Sequence, residues 1–209
     1  MEKLSYIPIF LILFFFSCNQ NNDKEDLERD VYYYPEEEKF KQNSNQRKIF
    51  IDSISNYGDL LNEIDKVACQ DSVPVIVYST KEEWYELIPW YECSEYNIIS
   101  SPTFRSRIFI QNDSILTNFD IRHSIDSLET IFRRHFLNKG KDFNYSDSPA
   151  KAGIEIYLKN DIGSKEVKKL LLSVSEEFNN LNEKSSDTLY LNIFFRDSPL
   201  KRVPPPPPY

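Results

Sequence analysis

From Arg47 onward, apolar positions recur at spacings that switch between strand and helix. Ile49-Phe50-Ile51 starts a strand. Asn56 or Asp59 then opens a helix whose apolar positions, Leu60, Leu61, Ile64, Val67 and Ala68, fall on one stripe. Residues 73–78 form a short apolar run suited to a buried strand, with Pro74 among its first residues, where a missing N–H costs least. Thr80 and Glu83 have the spacing of a capping box, so a helix is expected from there through Trp84, Leu87, Ile88 and Tyr91, ended or kinked by Pro89. Residues 97–100 read as a further strand.

The second half is cleaner. Residues 107–110 and 114–117 flank Gln111-Asn112-Asp113 and predict a hairpin. A helix follows, with Ile125, Leu128, Phe132 and Phe136 on one face. Residues 138–148 are polar and looped. Ile154, Ile156 and Leu158 alternate as in a half-buried strand. Gly163-Ser164 then caps a long helix whose stripe is Val167, Leu170, Leu171, Val174, Phe178 and Leu181. Leu189, Leu191, Ile193 and Phe195 alternate in a last strand. The order hairpin, helix, strand, helix, strand predicts an α+β domain, a mixed sheet with helices on one face. Residues 47–101 run through a comparable order, so the halves are read either as two degenerate copies of one unit or as contributors to a single mixed sheet.

Before Arg47 the pattern is different. A charged start at Glu2 and Lys3 gives way to an apolar run from Leu4 to Phe16, which stops at Ser17-Cys18. The run is shorter than the about 17–25 residues a membrane span needs. A short greasy core and a small residue before a cysteine describe a bacterial lipoprotein signal, cleaved before Cys18 and acylated there. The bulk of Phe15 and Phe16 departs from the usual small-residue box. Residues 19–46 are acidic and expected to be a flexible, solvated tether, interrupted by Tyr32-Tyr33-Tyr34, whose safest berth is the folded domain itself. The organisation expected is therefore 1–18 signal, 19–46 tether, 47–101 and 105–197 folded units, and 198–209 a proline-rich tail. Asn19 after the lipid cysteine favours the outer membrane, facing the periplasm. The acids beyond it resemble the surface-export signal of some lipoproteins.

The net charge of −8 excludes a phosphate-binding surface for nucleic acid and docking on anionic headgroups, so attachment would rely on the acyl chains. The chain has four glycines and no glycine-rich phosphate loop. Of its three cysteines, Cys69 and Cys93 remain once Cys18 carries lipid. They either pair as a disulfide in an oxidising compartment or sit as buried thiols. No CxxC occurs and neither histidine, His123 or His135, has a ligand partner at metal spacing, so no metal, cofactor or catalytic site is expected. Ser124 beside His123 lacks a GxSxG elbow. Trp84, Tyr85, Trp90, Tyr91 and Tyr96 are either core residues or a sugar-stacking platform. Pro204, Pro205, Pro206, Pro207 and Pro208, with Tyr209, form a polyproline II rod suited to docking in a partner's aromatic groove.

Residues 144–166, Asn-Tyr-Ser-Asp-Ser-Pro-Ala-Lys-Ala-Gly-Ile-Glu-Ile-Tyr-Leu-Lys-Asn-Asp-Ile-Gly-Ser-Lys-Glu, resemble the loop, strand, turn and helix of the ExbD/TolR biopolymer-transport family. The turn Leu158, Asn160, Asp161, Gly163, Ser164 and the upstream hairpin and helix fit the family order over residues 105–196. The resemblance implies a periplasmic domain that dimerises and partners ExbB/ExbD- or TolQ/TolR-like motor components or a TonB-like protein, with peptidoglycan contact in the TolR branch. It also implies a proton-carrying aspartate in the membrane segment, and Leu4 to Phe16 contains no acid. The expectation is a lipid-anchored, non-catalytic adaptor that does not conduct protons. The alternative is a peptidoglycan- or glycan-binding lipoprotein. In the turn itself, Asn160, Asp161 and Gly163 are expected to serve helix capping before any ligand.

Overall fold

The computed structural model describes residues 29–96, 106–118 and 121–198. Two sheets share one hydrophobic core. The first has four strands in the order β1-β4-β3-β2. These are β1 (Asp30–Tyr34), β2 (Gln46–Phe50), β3 (Val73–Ser79) and β4 (Glu83–Leu87). Helix α1 (Glu37–Gln42) follows β1, and α2 (Tyr57–Ala68) links the parallel pair β2 and β3. The second sheet has five strands in the order β7-β6-β5-β8-β9. These are β5 (Arg107–Gln111), β6 (Ser114–Thr117), β7 (Ile121–Ser124), β8 (Gly153–Tyr157) and β9 (Ile193–Arg196). Helix α3 (Leu128–Phe136) joins β7 to β8, and α4 (Ser164–Glu183) joins β8 to its parallel neighbour β9.

Hairpin β5–β6, α3, β8 and α4 fall where the apolar periodicity places them. So do α2, with Asn56 as its N-cap accepting from the Asp59 N–H at 2.9 Å, and β3. β9 begins only at Ile193, Leu189 and Leu191 being buried outside any strand. The fold is α+β with mixed sheets, as expected. Four further particulars differ. Residues 80–91 are not a helix. The Thr80 hydroxyl accepts from the Glu82 and Glu83 N–H groups, as a helix cap would, but the Thr80 N–H donates to the Glu83 carbonyl and closes a β3–β4 hairpin. Residues 30–42, assigned by composition to the tether, form β1 and α1. β1 is held parallel to β4, and Tyr34 is 3% exposed, stacked on Tyr85. The helices are not all on one face of one sheet. Phe40 of α1 covers Val75 and Val77 on the face of the smaller sheet opposite the main core. β8 is buried on both faces rather than one. The expected strand at 97–100 lies outside the described residues.

Helix α4 holds the two sheets together. Its Ser175 hydroxyl bonds the Tyr78 hydroxyl of β3 at 2.6 Å, and Asn179 accepts from the Tyr34 hydroxyl of β1 at 2.7 Å. Phe178 meets Tyr34 on one side and Phe136 of α3 on the other. Both halves of the chain therefore belong to one core.

Candidate functional site

Cys18 and the run Pro204–Tyr209 lie outside the described residues. Cys69, at the end of α2, and Cys93, after β4, form a disulfide across 24 positions of sequence, the first of the two expectations for them. Asp65 stands beside the bridge, its ligand oxygen and the two sulfurs within 4.8 Å of one another. That carboxylate accepts from the Ser94 N–H at 2.8 Å and the Ser94 hydroxyl at 3.0 Å, which fastens the Cys93 loop to α2. With both sulfurs joined to each other, neither offers a thiolate to a metal.

The aromatic cluster is dispersed. Tyr85 is in the core, Tyr91 packs against it, and Trp84 meets Phe50 edge-on across the outer face of the smaller sheet. Trp90 alone among the four described side chains is exposed, at 57%. Its ring stacks on Phe194 of β9 at 5.4 Å, and the Trp90 backbone N–H donates to the Ile193 carbonyl at 2.7 Å. The Arg107 guanidinium also lies over the Phe194 ring, 3.6 Å from its centroid. Arg107 and Arg196 both pair with Glu155, a carboxylate 3% exposed on β8. Alternation in the sequence placed Glu155 toward solvent; sandwiched between β5 and β9, it is buried and held by two arginines instead.

Both histidines have structural berths. His135 is fully buried in α3; its Nε2 donates to the Gly153 carbonyl at 3.1 Å and its Nδ1 accepts from the Ser146 N–H at 3.4 Å. Burial drives its pKa down to about 4, so the ring is neutral. His123 of β7 contacts the Thr117 hydroxyl at 3.3 Å. The turn at 158–163 caps two helices: Gly163 is the N-cap of α4, its carbonyl accepting from the Glu166 and Val167 N–H groups at 3.1 and 3.2 Å, and the same turn caps α2. The Tyr57 and Gly58 N–H groups donate to the Ile162 and Asn160 carbonyls at 2.8 and 3.0 Å. A Cβ at Gly58 would come within 3.2 Å of the Asn160 Cβ, a tight contact that a larger residue could occupy only if the turn gave by a few tenths of an ångström.

One feature invisible to the periodicity is β7. Residues 121–124 supply a single apolar side chain, Ile121, and so carry no strand alternation. In the structure they pair antiparallel with β6 and form the outer edge of the larger sheet, with Ile121, Arg122 and Ser124 exposed. The opposite edge, β9, is bridged by Trp90. No helix among the described residues is long and apolar enough to cross a membrane. Compared with protein-family models, with curated proteins and with solved structures, the chain matches none.

Proposed function

We propose that this chain is a non-catalytic, lipid-anchored protein of the cell envelope. In this reading its ExbD/TolR-like domain serves as an accessory interaction subunit of a transport machine driven by proton motive force, of the TonB or Tol type. The observation that supports the reading is that, among the described residues, β7 is the unpaired outer strand of the larger sheet. An edge strand presents a row of backbone donors and acceptors that a strand of another domain can complete. Ile121 and Arg122 on that edge offer one apolar and one cationic side chain to the arriving strand. The anchor is Cys18, and the acid-free run before it supplies no proton path. Affinity capture of the tagged chain from solubilised envelopes is expected to recover ExbB/ExbD- or TolQ/TolR-like components or a TonB-like protein. Recovery of none of them would overturn the proposal.

Exposed Trp90, backed by Phe194, favours a second reading, a peptidoglycan- or glycan-binding lipoprotein. Aromatic faces stack on sugar rings, and this indole is held from behind. On that reading Trp90→Ala abolishes co-sedimentation with purified cell wall; undiminished co-sedimentation would remove it.

A further inference from the structure

The disulfide has a third member. Asp65 and Cys69 stand 4 residues apart at the end of α2, so both side chains leave the same face of its last turn. Cys69 closes that helix, and Cys93 comes to it from the segment after β4. One oxygen of Asp65 lies 3.7 Å from the Cys69 sulfur, and the ligand atoms of all three residues fall within 4.8 Å of one another. A tetrahedral zinc ion, with Zn–S about 2.3 Å and Zn–O about 2.1 Å, holds a sulfur and an oxygen about 3.6 Å apart and two sulfurs about 3.8 Å apart. The Asp65–Cys69 pair already has that spacing. Only the two sulfurs, which a disulfide holds at about 2.0 Å, must separate.

The surroundings permit the separation. Cys93 belongs to neither helix nor strand, so its shift breaks no ladder. Asp65 and Cys69 are half-buried, which leaves a reductant and an ion a way in. Asp65 also has acceptor capacity to spare. A carboxylate offers about four lone-pair sites, and the Ser94 N–H and hydroxyl take two of them. Those bonds hold the carboxylate from behind, as groups behind metal ligands commonly do. The adjacent Lys66 turns to Glu63 and does not neutralise Asp65.

We propose that reduction of the Cys69–Cys93 bridge converts it into a zinc site of Asp65, Cys69 and Cys93, with a water completing the tetrahedron. A dithiol gives two electrons and two protons to the S–S bond; it leaves as its own disulfide, and the chain is left with two thiols. Zinc then displaces both protons and is held by two thiolates and the carboxylate. Thiolate ligands select zinc over calcium or magnesium. The junction between α2 and the segment after β4 thus has two forms, one covalent and one metallic, and stays tied in either redox state. This inference depends on neither the family resemblance nor the β7 edge.

The test uses the full chain carrying Cys18→Ser, so that Cys69 and Cys93 are its only cysteines. The chain is reduced with a phosphine, freed of reductant without air, and titrated with Co²⁺ and then Zn²⁺. One Co²⁺ per chain should give the visible bands of a tetrahedral ion and a thiolate-to-cobalt charge-transfer band, and one Zn²⁺ should bleach both. The oxidised chain should give neither. Asp65→Asn, which keeps an acceptor for Ser94, should weaken Co²⁺ binding by at least about tenfold, since losing a ligand costs no less than losing a group behind one. Ser94→Ala, which removes a hydroxyl and no ligand, should retain the bands. Zn²⁺ should also raise the thermal midpoint of the reduced chain and leave that of Cys69→Ser with Cys93→Ser unchanged. A reduced chain that gives no charge-transfer band would overturn the proposal. So would a band that needs two chains for each ion, or undiminished affinity in Asp65→Asn.

Discussion

His135 and Glu155 show how this molecule handles polar groups in its interior. The imidazole is buried neutral, one nitrogen donating to Gly153 and the other accepting from Ser146. Its folded-state pKa of about 4 lies below the unfolded value near 6.5. Between those two values the unfolded chain binds the proton and the folded chain does not. The stability that this ring contributes is therefore complete above about pH 6.5 and is lost as pH falls toward 4, by about 3 kcal/mol. Urea denaturation from pH 7 to 4 should show this loss, and His135→Gln should remove that share of the slope; an unchanged slope would mean the ring is already solvated. Glu155 is the opposite case, a buried anion held by Arg107 and Arg196. Glu155→Ala leaves Arg107 and Arg196 without their shared carboxylate on a covered sheet face and should lower stability by about 3 kcal/mol in the same assay. No pattern of apolar residues foretells this triad. Glu155 sits between Ile154 and Ile156 like any outward residue of a strand, and only the pairing of β8 with both β5 and β9 brings the arginines to it.

At the scale of elements, local signals succeeded wherever a stripe of five or more apolar residues faced the core. α2 and α4 are examples, each with a stripe that only a helix can gather on one side. They failed where one local motif serves two structures. The Thr80 hydroxyl accepts from backbone N–H groups two and three residues ahead, which is equally the start of a helix and the bend of a hairpin. Long-range pairing with β1 and β3 decides for the hairpin. β1 was hidden by the acids around it, although its three tyrosines carry enough apolar area to join a sheet. β7 was hidden because an edge strand needs no inward alternation. The Cys69–Cys93 disulfide belongs to this scale also, since it ties the end of α2 to the segment after β4. Closing a loop across 24 positions, it should contribute about 3 kcal/mol, chiefly by restricting the unfolded chain. Cys69→Ser with Cys93→Ser should therefore lower the thermal midpoint, and reductant should lower the unmodified chain's midpoint but not the variant's.

At the scale of the whole molecule, two sheets among the described residues are clasped by one helix, and β1, their first strand in the sequence, is built into the smaller sheet. If Cys18 carries lipid, eleven residues separate it from the first residue of β1, a reach of about 40 Å at most. Among the described residues β7 is the outer strand of the larger sheet, and under the proposed function it is the edge offered to another chain. Whether strands belong to one sheet or two depends on partners far apart in sequence, which explains why α+β character was legible while the division into two sheets was not. The function proposed rests on that edge. The most direct measurement is photo-crosslinking in intact envelopes from a reactive group placed at Ile121, with a second placed at exposed Phe50 on the smaller sheet for comparison. The account predicts a discrete product from position 121 that contains the periplasmic domain of a motor subunit or TonB-like protein, and no such product from position 50. A β7 edge that yields no protein product, or the same products as Phe50, would contradict it.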